Sequence, residues 1–129
     1  MEIDLPDVIA EVTAAFERYE QALMANDVEA LGASFRDDPR TIRYGILENL
    51  YGFAEIAAFR AGRSPVGLKR TRERTVITTF GRDFAVASTL FRRDAASAKI
   101  GRQMQTWVRF PDGWHVVAAH VSLIEEPKG

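Results

Sequence analysis

The second half of the chain contains four strand-like runs joined by short turns, and this pattern constrains the fold more than any other feature of the sequence. The runs cover roughly residues 69–80, 83–93, 99–110 and 114–124. Their connections are Gly81-Arg82, residues 94–98 and Pro111-Asp112-Gly113, all of which are typical of hairpins. Consecutive runs should therefore pair as neighbours in one antiparallel sheet.

The first part of the chain is predicted to be helical. After Pro6, apolar residues recur at helical spacing up to about Met24, and Asn26-Asp27 ends this run and caps a short second helix. A strand at 41–44, an irregular or extended segment at 45–52 and a third helix at 53–63 follow. Helices followed by a long meander indicate an α+β fold in which helices cover one face of a strongly curved sheet and leave a conical pocket.

Composition limits the class of protein. With 129 residues and 47% hydrophobic content, the chain suits one domain spanning 1–129. Seventeen Lys and Arg against eighteen Asp and Glu argue against nucleic-acid binding driven by charge. The sequence has no cysteine, which excludes disulfides, thiolate nucleophiles and cysteine-ligated metals. No apolar run is long enough to span a membrane and the acidic start does not resemble a signal peptide, so we expect a soluble, cytoplasmic protein without membrane partners.

The basic residues comprise fourteen Arg and only three Lys. The planar fork of Arg donors suits carboxylates. Arg43 lies in the short apolar strand, where a buried Arg requires a carboxylate from the protein or from a ligand. Arg70 and Arg72 share one face of the first long run with Arg74, which indicates either an anion site or a solvated edge. Most other arginines are expected to be surface or ion-paired groups, for example Arg18, Arg36, Arg63 and Arg93.

Tyr19 falls on the apolar stripe of the first helix, between Phe16 and Leu23. Its ring should be buried while its hydroxyl seeks a partner. Such a tyrosine is either an anchored core aromatic or a functional group. Beside Arg43 it would be a better proton-transfer group, because a positive charge favours the phenolate.

Strand alternation marks further polar candidates. Gln105 lies beside Trp107 on a predicted buried wall, and His120 and Ser122 share a face of the last run with Val116. A lone buried His is either a satisfied core group or a functional one. Because His115 and His120 are five residues apart and face opposite sides, they predict no metal site. Glu48 either reaches the interior or pairs with an Arg.

Several strings resemble the AtzH/HpxZ family of the SnoaL-like, NTF2-like superfamily. They are residues 14–20 (AAFERYE), 42–45 (IRYG), 80–84 (FGRDF), 101–107 (GRQMQTW) and 113–122 (GWHVVAAHVS). The resemblance extends over nearly the whole chain and is nearest to the AtzH branch. It implies the NTF2-like cone, with N-terminal helices packed on a curved antiparallel sheet that encloses a pocket. A fold-level match alone would not define a function.

The resemblance also implies an activity. It predicts a cofactor-independent decarboxylating amidohydrolase of cyanuric acid catabolism, which converts 1,3-dicarboxyurea to allophanate. The catalytic residues would be Tyr19 and Arg43, with no metal. On physical grounds a buried dicarboxylate needs countercharges, for which Arg70 or Arg72, with Gln105, His120 and Ser122, are the expected binding residues.

Two alternatives remain open at this point. One is an oxalurate-catabolism (HpxZ-like) protein or a related cone enzyme. The other is a non-catalytic small-anion-binding partner of a pathway amidase. A homodimer formed through the sheet is expected in each case, because an open curved sheet with two apolar faces needs cover.

Overall fold

A computed structural model describes residues 1–126 as three α-helices and one six-stranded sheet. In chain order the elements are α1 (Pro6–Ala25), α2 (Val28–Ser34), β1 (Ile42–Tyr44), β2 (Asn49–Tyr51), α3 (Phe53–Gly62), β3 (Arg70–Phe80), β4 (Phe84–Arg93), β5 (Lys99–Phe110) and β6 (Gly113–Glu125), with a short 3₁₀ turn at Asp94–Ala96. The four long strands agree with the sequence prediction to within one residue at each end. β2 lies in the segment that was expected to be irregular or extended.

The strand order is β2-β1-β6-β5-β4-β3. The three hairpins β3–β4, β4–β5 and β5–β6 are antiparallel, as the turn signals predict. β1 adds to the free edge of β6 in parallel, which places Arg43 opposite Ala119. This parallel pair joins β1 to the meander and extends the sheet beyond β6.

α1 covers the inner face of the sheet. Its buried side chains follow the predicted stripe, and they pack against Ala85, Ala87, Trp107 and Val116 of the strands. Small alanines on β4 let the helix approach, while Trp107 fills the space beside them. Asp27 caps α2 by accepting a hydrogen bond from the Ala30 amide at 3.1 Å, as predicted. Within residues 1–126, no helix has both the length and the apolar character required to cross a bilayer.

Two β-bulges interrupt the alternation of side chains. Glu73 is an extra residue in β3 between Arg72 and Arg74, and Val117 is an extra residue in β6. Each bulge reverses which later residues of its strand face inward. Arg74 therefore leaves the face that it was predicted to share with Arg70 and Arg72.

The bulge in β6 also corrects the prediction for the last strand. Ala119 and Val121 face the interior, while His120 is exposed on the outer face beside Met104. Ser122 lies on the same outer face and accepts a hydrogen bond from Arg102 Nε at 3.2 Å. The expectation that His120 and Ser122 lie near the interior is therefore wrong.

Candidate functional site

A narrow chamber lies between α1 and the inner face of the sheet, at the end where β3 begins and β4 ends. The space inside it, about 20 Å³, is roughly enough for one water molecule. The chamber shares part of its wall with a vestibule of about 310 Å³ that lies outside it. Its lining consists of Tyr19, Leu23, Arg43, Arg63, Leu68, Arg70, Arg93, Gln103 and Val121. Four of these nine side chains are arginines.

Tyr19 reaches the chamber from the buried stripe of α1 and is 2% exposed. Its ring packs against Phe35 with centroids 6.0 Å apart. Burial of the ring is as predicted. The chamber wall also contains Arg43, so the two residues that the sequence singled out meet in one cavity.

Arg43 projects inward from β1 and is 6% exposed. Its Nη1 donates a hydrogen bond to Glu48 Oε1 at 2.9 Å, which makes Glu48 its ion-pair partner. Glu48 belongs to the turn between β1 and β2, and the absence of a Cβ at Gly45 leaves room for its carboxylate. Arg43 Nε has no hydrogen-bond partner among residues 1–126, so the guanidinium retains a free donor.

Arg70 is held by a buried network. Its Nε and Nη2 donate to the two oxygens of Glu20 at 3.1 and 2.5 Å, and Nη2 also donates to Gln103 Oε1 at 3.0 Å. Glu20 and Gln103 are each 1% exposed. The guanidinium carbon of Arg70 lies 4.1 Å from the centre of the Phe91 ring. A bidentate, fully buried pair of this kind fixes the side chain in one position.

Arg63 and Arg93 are half-buried and also line the chamber, so the prediction that they are surface or ion-paired groups is wrong. Within residues 1–126 neither takes part in an ion pair. Burial is the main cause that lowers the pKa of Arg63, followed by the charge of Arg43. Burial also lowers the pKa of Arg93, and the charges of Arg70 and Arg43 add to the effect.

The sequence held signals for both residues. Arg93 continues the inward alternation of Ala87, Thr89 and Phe91 along β4, and Arg63 follows Ile56 by seven positions, which is helical spacing. Alternation alone gave no reason to prefer a buried charge over a solvated end of each element. Their proximity to the chamber depends on how α3 and β4 meet in space.

The remaining predicted site residues lie elsewhere. Arg72 forms a bidentate pair with Glu17 at 2.8 and 2.9 Å on the partly exposed side of α1. Gln105 is buried, as expected, but its Oε1 accepts from Trp107 Nε1 at 3.1 Å, and the side chain does not line the chamber. His120 and Ser122 face outward. Of the five predicted binding residues, the structure brings only Arg70 to the chamber.

The chamber combines an excess of positive charge with one phenolic hydroxyl. Glu48 and Glu20 balance Arg43 and Arg70, so Arg63 and Arg93 leave two positive charges uncompensated by the described part of the chain. Residues 1–126 contain no group of three His, Asp or Glu side chains arranged to hold a metal ion. The arrangement suits a small anion with two negative charges, beside a phenolic hydroxyl that can donate a proton.

Comparisons with known proteins agree with this architecture. A family model described as AtzH-like matches residues 1–127. A crystal structure of a protein of unknown function from Pectobacterium atrosepticum is 58% identical, with 95% of each chain covered and a TM-score of 0.92. A cystatin-like fold protein from Burkholderia xenovorans is 53% identical over 98% of this chain and 99% of that chain, with a TM-score of 0.94.

More distant structures share the fold alone. An NTF2-like protein of unknown function from Pseudomonas putida has a TM-score of 0.76 at 18% identity, with 93% of this chain and 95% of that chain covered. These matches confirm the predicted α+β, NTF2-like fold. No protein of curated function matches the sequence.

Proposed function

The chain belongs to the AtzH-like family, and from this premise we propose that it is a decarboxylating amidohydrolase that converts 1,3-dicarboxyurea to allophanate. The main support for the proposal is the positive charge of the chamber. Two guanidinium groups without ion-pair partners in the described chain, Arg63 and Arg93, share a cavity with Tyr19 and Arg43. A doubly negative substrate would compensate both charges, whereas a neutral one would leave them buried and unpaired.

The size of the cavity supports a particular orientation of this substrate. The inner chamber has room for about one water molecule and is too small for the whole ion, but it adjoins the larger vestibule. Arg43, Arg63 and Arg93 line both spaces. The carboxyl group that reacts would therefore enter the chamber beside Tyr19, while the second carboxylate stays in the vestibule against Arg63 and Arg93.

The reaction requires one proton at nitrogen. Tyr19 donates its hydroxyl proton to the nitrogen that carries the reacting carboxyl group, the N–C bond breaks, and its electron pair stays on nitrogen. The carboxyl carbon leaves as carbon dioxide, or as bicarbonate when water attacks it. Tyr19 recovers its proton from solvent. Arg43 holds the reacting carboxylate or the charge that develops on the urea oxygen. This chemistry assigns no step to a metal or an organic cofactor.

Consumption of 1,3-dicarboxyurea by the purified protein, followed by the appearance of allophanate, tests the proposal. Tyr19→Phe and Arg43→Ala should each reduce kcat at least on the order of a hundredfold. Matched controls are Tyr44→Phe, whose hydroxyl bonds to that of Tyr51 outside the chamber, and Arg40→Ala on the surface. Full activity in both chamber variants would contradict the assigned roles. Binding of malonate without any turnover would instead support a non-catalytic anion-binding module.

We also propose that the protein forms a homodimer through the outer face of the sheet. Val76 and Met104 are 43% and 53% exposed there, on neighbouring parts of a shallow apolar depression that Leu90 also lines. Burial of such a face against a second copy is favourable. Light scattering of the wild type and of Met104→Asp tests this, because a monomeric wild type contradicts the proposal.

A further inference from the structure

Arg60 is a buried cation that the proposed mechanism has not used. It projects from α3 into the core and is 1% exposed. Its guanidinium carbon lies 4.4 Å from the centre of the Phe35 ring and 5.8 Å from that of Tyr19. Within residues 1–126, none of its three guanidinium nitrogens has a hydrogen-bond partner.

Burial of an unpaired charge destabilises the folded state, which is unfavourable for a side chain with only a structural role. Burial lowers the pKa of Arg60 to about 10, and the charges of Arg43 and Arg63 act in the same direction, while the Tyr19 hydroxyl acts against them. Arg60 is therefore still charged at neutral pH. An aliphatic side chain of similar size would pack against Phe35 without leaving a buried charge uncompensated. Packing alone therefore does not account for a charged residue at this position.

We infer that Arg60 is a positioning residue for Tyr19: its buried charge, close to the Tyr19 ring and without a counterion in the described chain, stabilises the negative charge that develops on the phenol oxygen as its proton leaves. The inference rests on the proposed function, in which Tyr19 supplies that proton. Interactions with charge that appears only in the transition state accelerate the chemical step.

The other charged groups around Tyr19 do not serve this purpose equally well. Glu48 from the β1–β2 turn neutralises Arg43, and Glu20 from α1 neutralises Arg70. Arg63, which follows α3, and Arg93 from β4 line the chamber, where the substrate carboxylates would compensate them. Phe35, which follows α2, Gln103 of β5 and Val121 of β6 also face this region and carry no charge.

Arg60 differs from these arginines because it does not line the chamber or the vestibule. A bound dianion therefore does not reach it directly. Its positive charge remains uncompensated when the substrate is in place, which is the state in which Tyr19 must give up its proton. Loss of this charge should therefore reduce kcat and have little effect on KM.

Arg60→Met tests the inference, because methionine keeps most of the volume and removes the charge. We expect kcat to fall on the order of tenfold to a hundredfold while KM changes by less than about threefold. The melting temperature should stay the same or rise, since an unpaired buried charge is lost. Arg60→Lys keeps the charge and should recover part of kcat, whereas Arg60→Gln, which is polar and neutral, should not.

A second measurement does not depend on turnover. The ultraviolet absorbance of tyrosinate, followed against pH, is compared between the wild type, Arg60→Met and Tyr19→Phe, so that the step lost in Tyr19→Phe is assigned to Tyr19. Without the neighbouring cation this step should move to higher pH. The alkaline limb of the pH–rate profile should move in the same direction, because Tyr19 acts as an acid.

The outcomes separate the two proposals. A wild type without turnover, together with a shifted tyrosinate step in Arg60→Met, contradicts the proposed function and supports the role of Arg60. An active wild type with an unshifted step and unchanged kcat in Arg60→Met overturns the inference alone. If Arg60→Met does not fold, the same comparison between Arg60→Lys and Arg60→Gln decides: equal kcat and equal absorbance steps overturn the inference.

Discussion

Arg70 and Arg93 are directly opposite each other in the register of β3 and β4, and both side chains line the chamber. Like charges at such positions repel each other. Glu20 relieves the repulsion at Arg70, but no carboxylate within residues 1–126 forms an ion pair with Arg93. The register of the β3–β4 hairpin therefore places the charge of Arg93 in the chamber, where a bound anion would stabilise it.

The first prediction concerns the two chamber arginines that lack ion-pair partners in the described chain. Arg93→Gln and Arg63→Gln should each weaken binding of malonate, used as a small dicarboxylate, by at least about tenfold, because each removes one of the two uncompensated charges. Isothermal titration calorimetry at fixed ionic strength measures this change. In the absence of ligand, both variants should be at least as stable as the wild type.

Arg40→Gln is the matched control for this comparison. Its guanidinium also carries a full charge, but the side chain is 89% exposed and pairs locally with Asp38. We expect its malonate affinity to stay within about twofold of the wild type. An equal loss in all three variants would mean that the effect comes from net charge and not from the chamber.

The second prediction compares two bidentate ion pairs between α1 and β3. Glu20→Gln leaves Arg70 as an uncompensated buried charge and should lower the free energy of unfolding by about 3 to 5 kcal/mol. Glu17→Gln breaks the pair with Arg72, whose side chains are 31% and 43% exposed, and should cost less than about 1 kcal/mol. Urea denaturation of both variants measures the difference. Similar losses in the two would show that burial does not govern the stability of these pairs.

The third prediction concerns Glu48, whose carboxylate forms an ion pair with Arg43. Because Glu48 competes with an incoming anion for the Arg43 guanidinium, Glu48→Gln should tighten malonate binding by about threefold to tenfold. Glu2→Gln, at an exposed position near the far end of β3, is the control. Weaker binding in Glu48→Gln would show instead that Glu48 helps Arg43 to hold the ligand.

The fourth prediction concerns Phe91, whose ring packs against the Arg70 guanidinium. A Cβ on Gly101 would overlap the Phe91 ring, against which Arg70 stacks. Gly101→Ala should therefore lower the free energy of unfolding by about 1 to 3 kcal/mol and also weaken malonate binding, because Phe91 must move. Gly62→Ala, at the exposed end of α3 where a methyl group meets nothing within 4 Å, should leave stability unchanged or raise it by up to about 1 kcal/mol. Thermal denaturation and calorimetry check both effects.

The sequence was sufficient to predict the elements because their signals are local. Turn residues mark the three hairpins, and the apolar stripe of α1 identifies Tyr19 as buried. These inferences need only the periods of a helix and a strand. They failed at His120 and Ser122, since the extra residue Val117 shifts the alternation by one, and a bulge has no reliable signature in a single sequence.

The meander, the helical layer above it and the burial of Tyr19 and Arg43 can all be predicted from sequence, because each follows from the spacing of apolar residues along a few turns or strand positions. Which arginines share the chamber depends instead on long-range packing. Arg63, Arg70 and Arg93 come from different parts of the chain, and their meeting depends on the register of β3 and β4, on the bulge in β3 and on the approach of α3. Tertiary structure also left Arg60 buried near Tyr19, since burial of a charge depends on what surrounds it in space and not on its neighbours in the chain.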